Sequence, residues 1–190
     1  QMSLGDDGTV YVGTRSRAGG RIFAIPDANR DGKADEVITI TSGLKRPSGL
    51  TYHNGDLYIG AISRIYKISN IENSYRNKPD PEVIFSNLPD KTHHGWKFLE
   101  FGPDGLLYIP IGAPCNICEP EEEFATLNTL DINNPELGIT KYAMGIRNTV
   151  GFDWDPKTDD LWFTDNGGDG LGDEMPADEL NHAPKSGLHF

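Results

Sequence analysis

No stretch of this chain approaches the ~20 consecutive apolar residues that a membrane-spanning helix needs. Positive charge is also scarce: 17 Lys and Arg stand against 29 Asp and Glu, for a formal net charge of -12. A surface that acidic repels phosphate backbones and anionic headgroups, so neither nucleic acid nor an anionic membrane is an expected partner. Residues Gln1-Met2-Ser3 do not begin a signal peptide. Cysteine is limited to Cys115-Asn116-Ile117-Cys118. Pro114 and Pro120 beside it disagree with the strand-to-helix junction of a thioredoxin site, and Glu119 stands where a c-type haem motif needs His. Two thiols with no matching pair are too few ligands for a structural zinc. Two readings stay open, a local disulfide in an oxidising compartment, which is favoured, and free thiols. Nor does an apolar helical period run beyond a turn or two.

Glycine, by contrast, is abundant, with 22 residues beside 13 prolines. Counting glycine, the apolar share is ordinary for a globular domain. Many short strands joined by turns are therefore expected. Four segments share one pattern of strand, Asp- or Asn-bearing turn, and aromatic strand: residues 4–13, 47–60, 98–109 and 150–164. Their turns carry Asp-Gly, Asn-Gly or Asp-Pro, which is hairpin chemistry. Tyr11, Tyr58, Tyr108 and Trp162 mark corresponding positions, at a period of about fifty residues, as propeller blades show. A β-sandwich would give similar turns without that register. Residues 21–25 and 36–40 complete one blade, 64–68 and 82–85 the next, and 125–144 should hold two further strands. Residues 186–190 read as a strand cut short. The expectation is an all-β, incomplete β-propeller of about three to four blades, a single domain over residues 1–190 and a fragment of a longer protein. Its open strand edges favour association unless covered.

Three stretches exceed what the repeat requires: Lys91-Thr92-His93-His94-Gly95-Trp96, Gly145-Ile146-Arg147-Asn148, and the acidic, glycine-rich run from Thr164 to Glu174 followed by Asp178-Glu179-Leu180-Asn181. Equivalent points on successive blades would converge at the channel of a propeller. The glycine run is a weak nucleotide signal, since no helix pattern follows and Asp169, Asp173 and Glu174 would repel a pyrophosphate. Asp27, Asn29, Asp31 and Asp35, around Gly32, have the spacing of a calcium loop. The Glu expected at its twelfth position is replaced by Ile38, and the same spacing serves a plain turn.

With these motifs in this order, the chain resembles the soluble pyrroloquinoline-quinone (PQQ)-dependent sugar dehydrogenases, in particular the sorbosone or aldose dehydrogenase-like branch. The likeness rests on His94 ahead of Gly102-Pro103-Asp104-Gly105, on Gly145-Ile146-Arg147-Asn148 with Gly151, on Phe163-Thr164-Asp165-Asn166-Gly167, and on Asp178-Glu179-Leu180-Asn181. It implies a six-bladed propeller, of which about two blades lie outside this chain. It also implies a periplasmic or secreted quinoprotein that oxidises a sugar hemiacetal or related alcohol, without specifying the electron acceptor. His94 matches the general base, Arg147 the cation beside the quinone oxygens, and Asn148 and Asn166 cofactor contacts. The carbonyls of Gly167 and Gly168 match those that hold a calcium ion. The chain departs from the pattern at Asn166, where glutamine is usual, at Gly168, often proline, and at Gly95-Trp96-Lys97, often Gly-Gly-Arg. Two other functions remain open: a calcium-dependent lactonase using Glu100, Asn148 and Asp165, and a non-catalytic propeller that binds carbohydrate or protein.

Overall fold

The computed structural model describes residues 1–16, 19–175 and 177–190. Its contacts divide the chain into two compact units, Gln1–Leu88 and Pro89–Phe190. Each holds two sheets built of antiparallel strands that follow one another in chain order, with one added parallel strand, the last of the chain, in the second unit.

In the first unit, β1 (Met2–Leu4), β2 (Val10–Gly13), β3 (Gly20–Ile25) and β4 (Ile38–Leu44) make one sheet, and β5 (Gly49–His53), β6 (Asp56–Gly60), β7 (Ile65–Ile68) and β8 (Glu82–Phe85) the other. These are the two blades expected. Alternation along β3 buries Gly20, Ile22 and Ala24 and turns Arg21 outward, the period-2 signature of a half-buried strand. Ile22, Ile40, Leu50, Leu57 and Ile59 join Tyr11 in one core, each such aliphatic side chain contributing about 1.5–3 kcal/mol. The interval between β7 and β8 was not assigned from the sequence. It forms a short helix α1 (Ile71–Ser74) and a 3-10 turn (Tyr75–Asn77), and plugs Ile71 and Tyr75 into the same core.

The second unit has β9 (Glu100–Phe101), β10 (Leu107–Ile111), β11 (Thr126–Leu130) and β12 (Ile139–Met144) in one sheet, and β13 (Phe152–Trp154), β14 (Leu161–Asp165) and β15 (Glu179–Ala183) in the other. The two strands expected within residues 125–144 are β11 and β12. The terminal strand β16 (Leu188–His189) lies parallel to β12, pairing Ala143 with Leu188 and Met144 with His189. It thus extends the β9–β12 sheet rather than the three-stranded one that precedes it. Tyr108, Leu127, Ile146, Phe152, Leu161 and Phe163 form this unit's core.

The repeated hairpin has a physical cause. At the third, Gly102 N–H donates to the Leu106 carbonyl at 2.9 Å and Asp104 Oδ1 accepts from Leu106 N–H at 3.0 Å. Tyr108 then donates its hydroxyl to Asp104 Oδ2 at 3.1 Å. A Cβ on Gly102 would fall 2.6 Å from the Tyr108 ring, so glycine, aspartate and tyrosine are required together. The first hairpin repeats the turn, with Thr9 N–H on Asp7 Oδ1 at 2.8 Å. There the Thr9 hydroxyl occupies Asp7 Oδ2, and the buried Tyr11 hydroxyl has no hydrogen-bond partner among the described residues. Trp162, the fourth aromatic, differs: it is 38% exposed and stacks on His182 at 4.5 Å.

Candidate active site

The chain leaves β10 at Ile111 and passes through Gly112 and Ala113, and this short segment brings two of the predicted residues together. The Ala113 carbonyl lies 3.0 Å from His94 Nδ1, while Ala113 N–H donates to the Arg147 carbonyl at 2.8 Å. A Cβ on Gly112 would meet the His94 Cβ at 2.6 Å, so only glycine permits so close an approach. His94 adopts a left-handed conformation, φ 46°, sparsely populated by residues with a Cβ and a recurrent feature of functional sites.

A carbonyl can only accept, so Nδ1 of His94 carries the proton and, in the neutral ring, Nε2 is the acceptor. The residue is 5% exposed, and its ring has Trp96 edge-on at 5.6 Å and His93 at 4.1 Å. Burial foremost, then the neighbouring His93, pushes its pKa below the ordinary 6.5, and the Arg147 charge acts in the same direction. The Ala113 hydrogen bond and Asp169 oppose the shift. The imidazole is therefore neutral at pH 7. Lys97, 3% exposed, donates to the Gly95 carbonyl at 2.9 Å, and burial lowers its pKa to about 8.

Arg147 and Asn148 follow β12 in a turn pinned by the end of β14. Asp165 Oδ2 accepts from Arg147 N–H at 2.9 Å and Oδ1 from Asn148 N–H at 2.6 Å. Burial raises the Asp165 pKa, and these two donors counter the rise. Asn166 N–H returns to the Asn148 carbonyl at 3.2 Å. The guanidinium then reaches across: Nε to the Asn116 carbonyl at 2.9 Å, one terminal nitrogen to the Asn166 carbonyl at 2.8 Å, and the other to Asn116 Oδ1 at 2.6 Å. Asp169 forms an ion pair with it at 3.4 Å. Asn116 sits inside the Cys115–Cys118 disulfide, the favoured pairing for the two thiols.

A cavity of about 840 Å³ opens beside this cation, with Asn116, Glu119, Glu121, Arg147, Gly168 and His189 among its walls. That volume suits a small organic ligand. His94 and Asn148 are not among its walls. Gly167 N–H is held by Asp178 Oδ1 at 2.9 Å, and among the described residues neither the Gly167 nor the Gly168 carbonyl accepts a backbone hydrogen bond.

Asn116 and Asp169 are the site residues that the sequence reading missed. The one sign of Asn116 was its place between the only two cysteines. Asp165, part of the family-like motif and a candidate for the lactonase reading, has both its oxygens engaged by backbone N–H groups.

The 27–35 loop belongs to the first unit and is closed by its own hydrogen bonds. Asp27 accepts from Asp31 and Gly32 N–H, Asn29 from Asp31, Asp31 from Lys33, and Asp35 from Ala28. Among the described residues no three His, Cys, Asp or Glu stand grouped to hold a metal, and no helix is long and apolar enough to cross a membrane.

No protein-family model matches the chain. A curated protein of Borreliella burgdorferi, itself uncharacterized, is 30% identical over 195 residues, which is 97% of this chain and 48% of that protein. Iodide and calcium structures of a Trichoderma reesei enzyme of carbohydrate-active family AA12 superpose with TM-scores of 0.77 and 0.74 at 18% and 17% identity, over 99% and 96% of this chain and 54% and 51% of theirs. The holo PQQ domain of a Coprinopsis cinerea pyranose dehydrogenase gives 0.75 at 14% identity, over 97% of this chain and 50% of that one. The soluble aldose sugar dehydrogenase of Escherichia coli gives 0.67 at 16%, over 98% and 60%. The chain spans about half the length of the proteins it matches. By fold, the chain is an all-β, incomplete β-propeller similar to part of each of these structures.

Proposed function

We propose that the full-length protein is a quinoprotein that oxidises an aldose or a related sugar hemiacetal, with PQQ and calcium as cofactors. One observation carries the reading: Ala113 holds both His94, with its accepting nitrogen defined, and the backbone of Arg147. A base tethered beside a fixed cation suits removal of a hydroxyl proton coupled to charge developing on an oxygen. Of the expected residues, Arg147 and Gly168 face the cavity, and their chemistry suits the cofactor. Arg147 presents a guanidinium at a cavity of suitable size, and the Gly167 and Gly168 carbonyls supply the hard oxygens that calcium prefers.

PQQ, when bound, supplies the hydride acceptor, with calcium as the Lewis acid that polarises it. This chain's residues do the rest. His94 Nε2 takes the substrate hydroxyl proton, and the Nδ1–H bond to Ala113 steadies the ring as it becomes cationic. Arg147 orients and neutralises oxygens of the bound group, and Asn148 and Asn166 contribute contacts around it. The calcium structure of the AA12 enzyme and the PQQ domain of the pyranose dehydrogenase support the cofactor pair. The disulfide supports a periplasmic or secreted setting.

The test is reconstitution of the full-length protein with PQQ and calcium, following the quinone absorbance as aldoses are added. Reduction by an aldose, lowered by a factor of about 10²–10⁴ in His94→Ala, is the expected result. Failure of the protein to bind PQQ discards the quinone and leaves a hydrolase or a carbohydrate-binding propeller as the better account.

A further inference from the structure

The proposed chemistry makes no use of the 115–118 loop, yet that loop holds the cation of the site. Asn116 accepts from Arg147 twice, through its backbone carbonyl and through Oδ1. The same side chain donates from Nδ2 to the Asp169 carbonyl at 2.8 Å and accepts Asp169 N–H on Oδ1 at 2.8 Å. One amide therefore ties the guanidinium to the loop that follows β14. Charge-assisted bonds in a fixed fork define the plane of an arginine as well as its position. Residues 112–125 contain neither strand nor helix, so no ladder of backbone hydrogen bonds holds Asn116. The Cys115–Cys118 crosslink closes the chain immediately around it.

We infer that Asn116 is the positioning residue for Arg147, and that the Cys115–Cys118 disulfide is a redox-sensitive latch that keeps Asn116 in place. A dithiol reductant opens the latch: two electrons and two protons enter the S–S bond, it breaks to two thiols, and the dithiol becomes its own disulfide. Arg147 then loses its two acceptors on Asn116, while the Asp165 carboxylate still holds its backbone. The inference rests on the proposed function only where it names PQQ as the ligand whose affinity depends on the latch.

The experiment uses the full-length protein labelled with ¹⁵N, with the Arg147 Nε–H resonance identified by its loss in Arg147→Lys. In the oxidised protein that proton should exchange slowly. Dithiothreitol should speed its exchange at least about tenfold, roughly one hydrogen bond's net worth. Asn116→Ala keeps the main-chain carbonyl that accepts from Nε but removes the Oδ1 and Nδ2 ties to Arg147 and Asp169, and should have the same effect by freeing the loop that carries that carbonyl. The Asn148 amide, bonded to Asp165, should keep its shift and so reports an intact fold. Asn116→Asp, which retains both acceptor oxygens, should restore most of the protection. A Cys115→Ala/Cys118→Ala variant should reproduce the reduced state without reductant. PQQ should bind about 10–100-fold more weakly to Asn116→Ala and to the reduced protein. An Arg147 Nε–H that is indifferent both to Asn116→Ala and to loss of the disulfide overturns the inference. Loss of Arg147 protection in a protein that binds no PQQ supports the latch and discards the quinone.

Discussion

Two loops of this chain are acidic and glycine-bearing, and they behave in opposite ways. In residues 27–35 the side chains of Asp27, Asn29, Asp31 and Asp35 accept from backbone N–H groups at most seven residues away. The loop is solvent-exposed almost throughout and its carboxylates serve the turn itself. In residues 165–169 side chains and main chain bond at long range. The Asp165 carboxylate caps N–H groups 17 and 18 residues away, and the Asn166 main-chain carbonyl accepts from Arg147 at a separation of 19. The Asp169 carboxylate pairs with Arg147 at a separation of 22, and the Asp169 N–H donates to Asn116 at a separation of 53. Composition and turn chemistry are similar in both. Sequence distance decides whether such a loop closes on itself or assembles a site.

Removing the central acceptor of each loop should break the comparison most sharply. Asp165→Ala leaves a buried and a part-buried N–H group without a partner, at about 1–3 kcal/mol apiece, so an overall loss of about 2–6 kcal/mol is expected from the shift in urea midpoint. Asp165→Asn, which keeps one accepting oxygen, should fall between this variant and the native protein. A smaller effect should come from acid. His94 has a depressed folded pKa, so the stability tied to its neutral form is complete above the unfolded value of about 6.5. It is lost as pH falls below that value and through the folded pKa. Urea midpoints at pH 7.5 and pH 5 should therefore converge between the native protein and His94→Gln on acidification; parallel behaviour would remove His94 from the balance. The smallest change is expected for Asp27→Ala, about 1 kcal/mol or less, because water can take over the N–H groups of Asp31 and Gly32 in an exposed turn. A cost matching that of Asp165→Ala would make the two loops equivalent and end the distinction.

Much of the fold was legible because it is local. The hairpin turns announce themselves through Asp-Gly and Asn-Gly, and the close fit of Gly102, Asp104 and Tyr108 explains why the aromatic recurs in register. The short helix at Ile71 was missed: four residues carry too little periodicity to signal a helix, and tertiary burial of Ile71 and Tyr75 holds it. Trp162 shares its place in the repeat with three buried tyrosines, yet lies on an open face, which its position in the repeat did not indicate. His94, Arg147, Asn148, Asn166 and Gly167 stood out by motif resemblance. Their mutual arrangement depends on Ala113, an unremarkable alanine, and on Asn116.

The strand pattern, the hairpin register and the chemistry of the turns were set by residues a few positions apart, through steric and hydrogen-bonding rules that act within one turn or one strand. The partners of Arg147 and His94, the capping of residues 147 and 148 by Asp165, and the pairing of β16 with β12 depended on the folded chain. Each joins groups separated by a dozen or more residues, and burial and backbone closure, rather than local propensity, select among the many carboxylates and amides available.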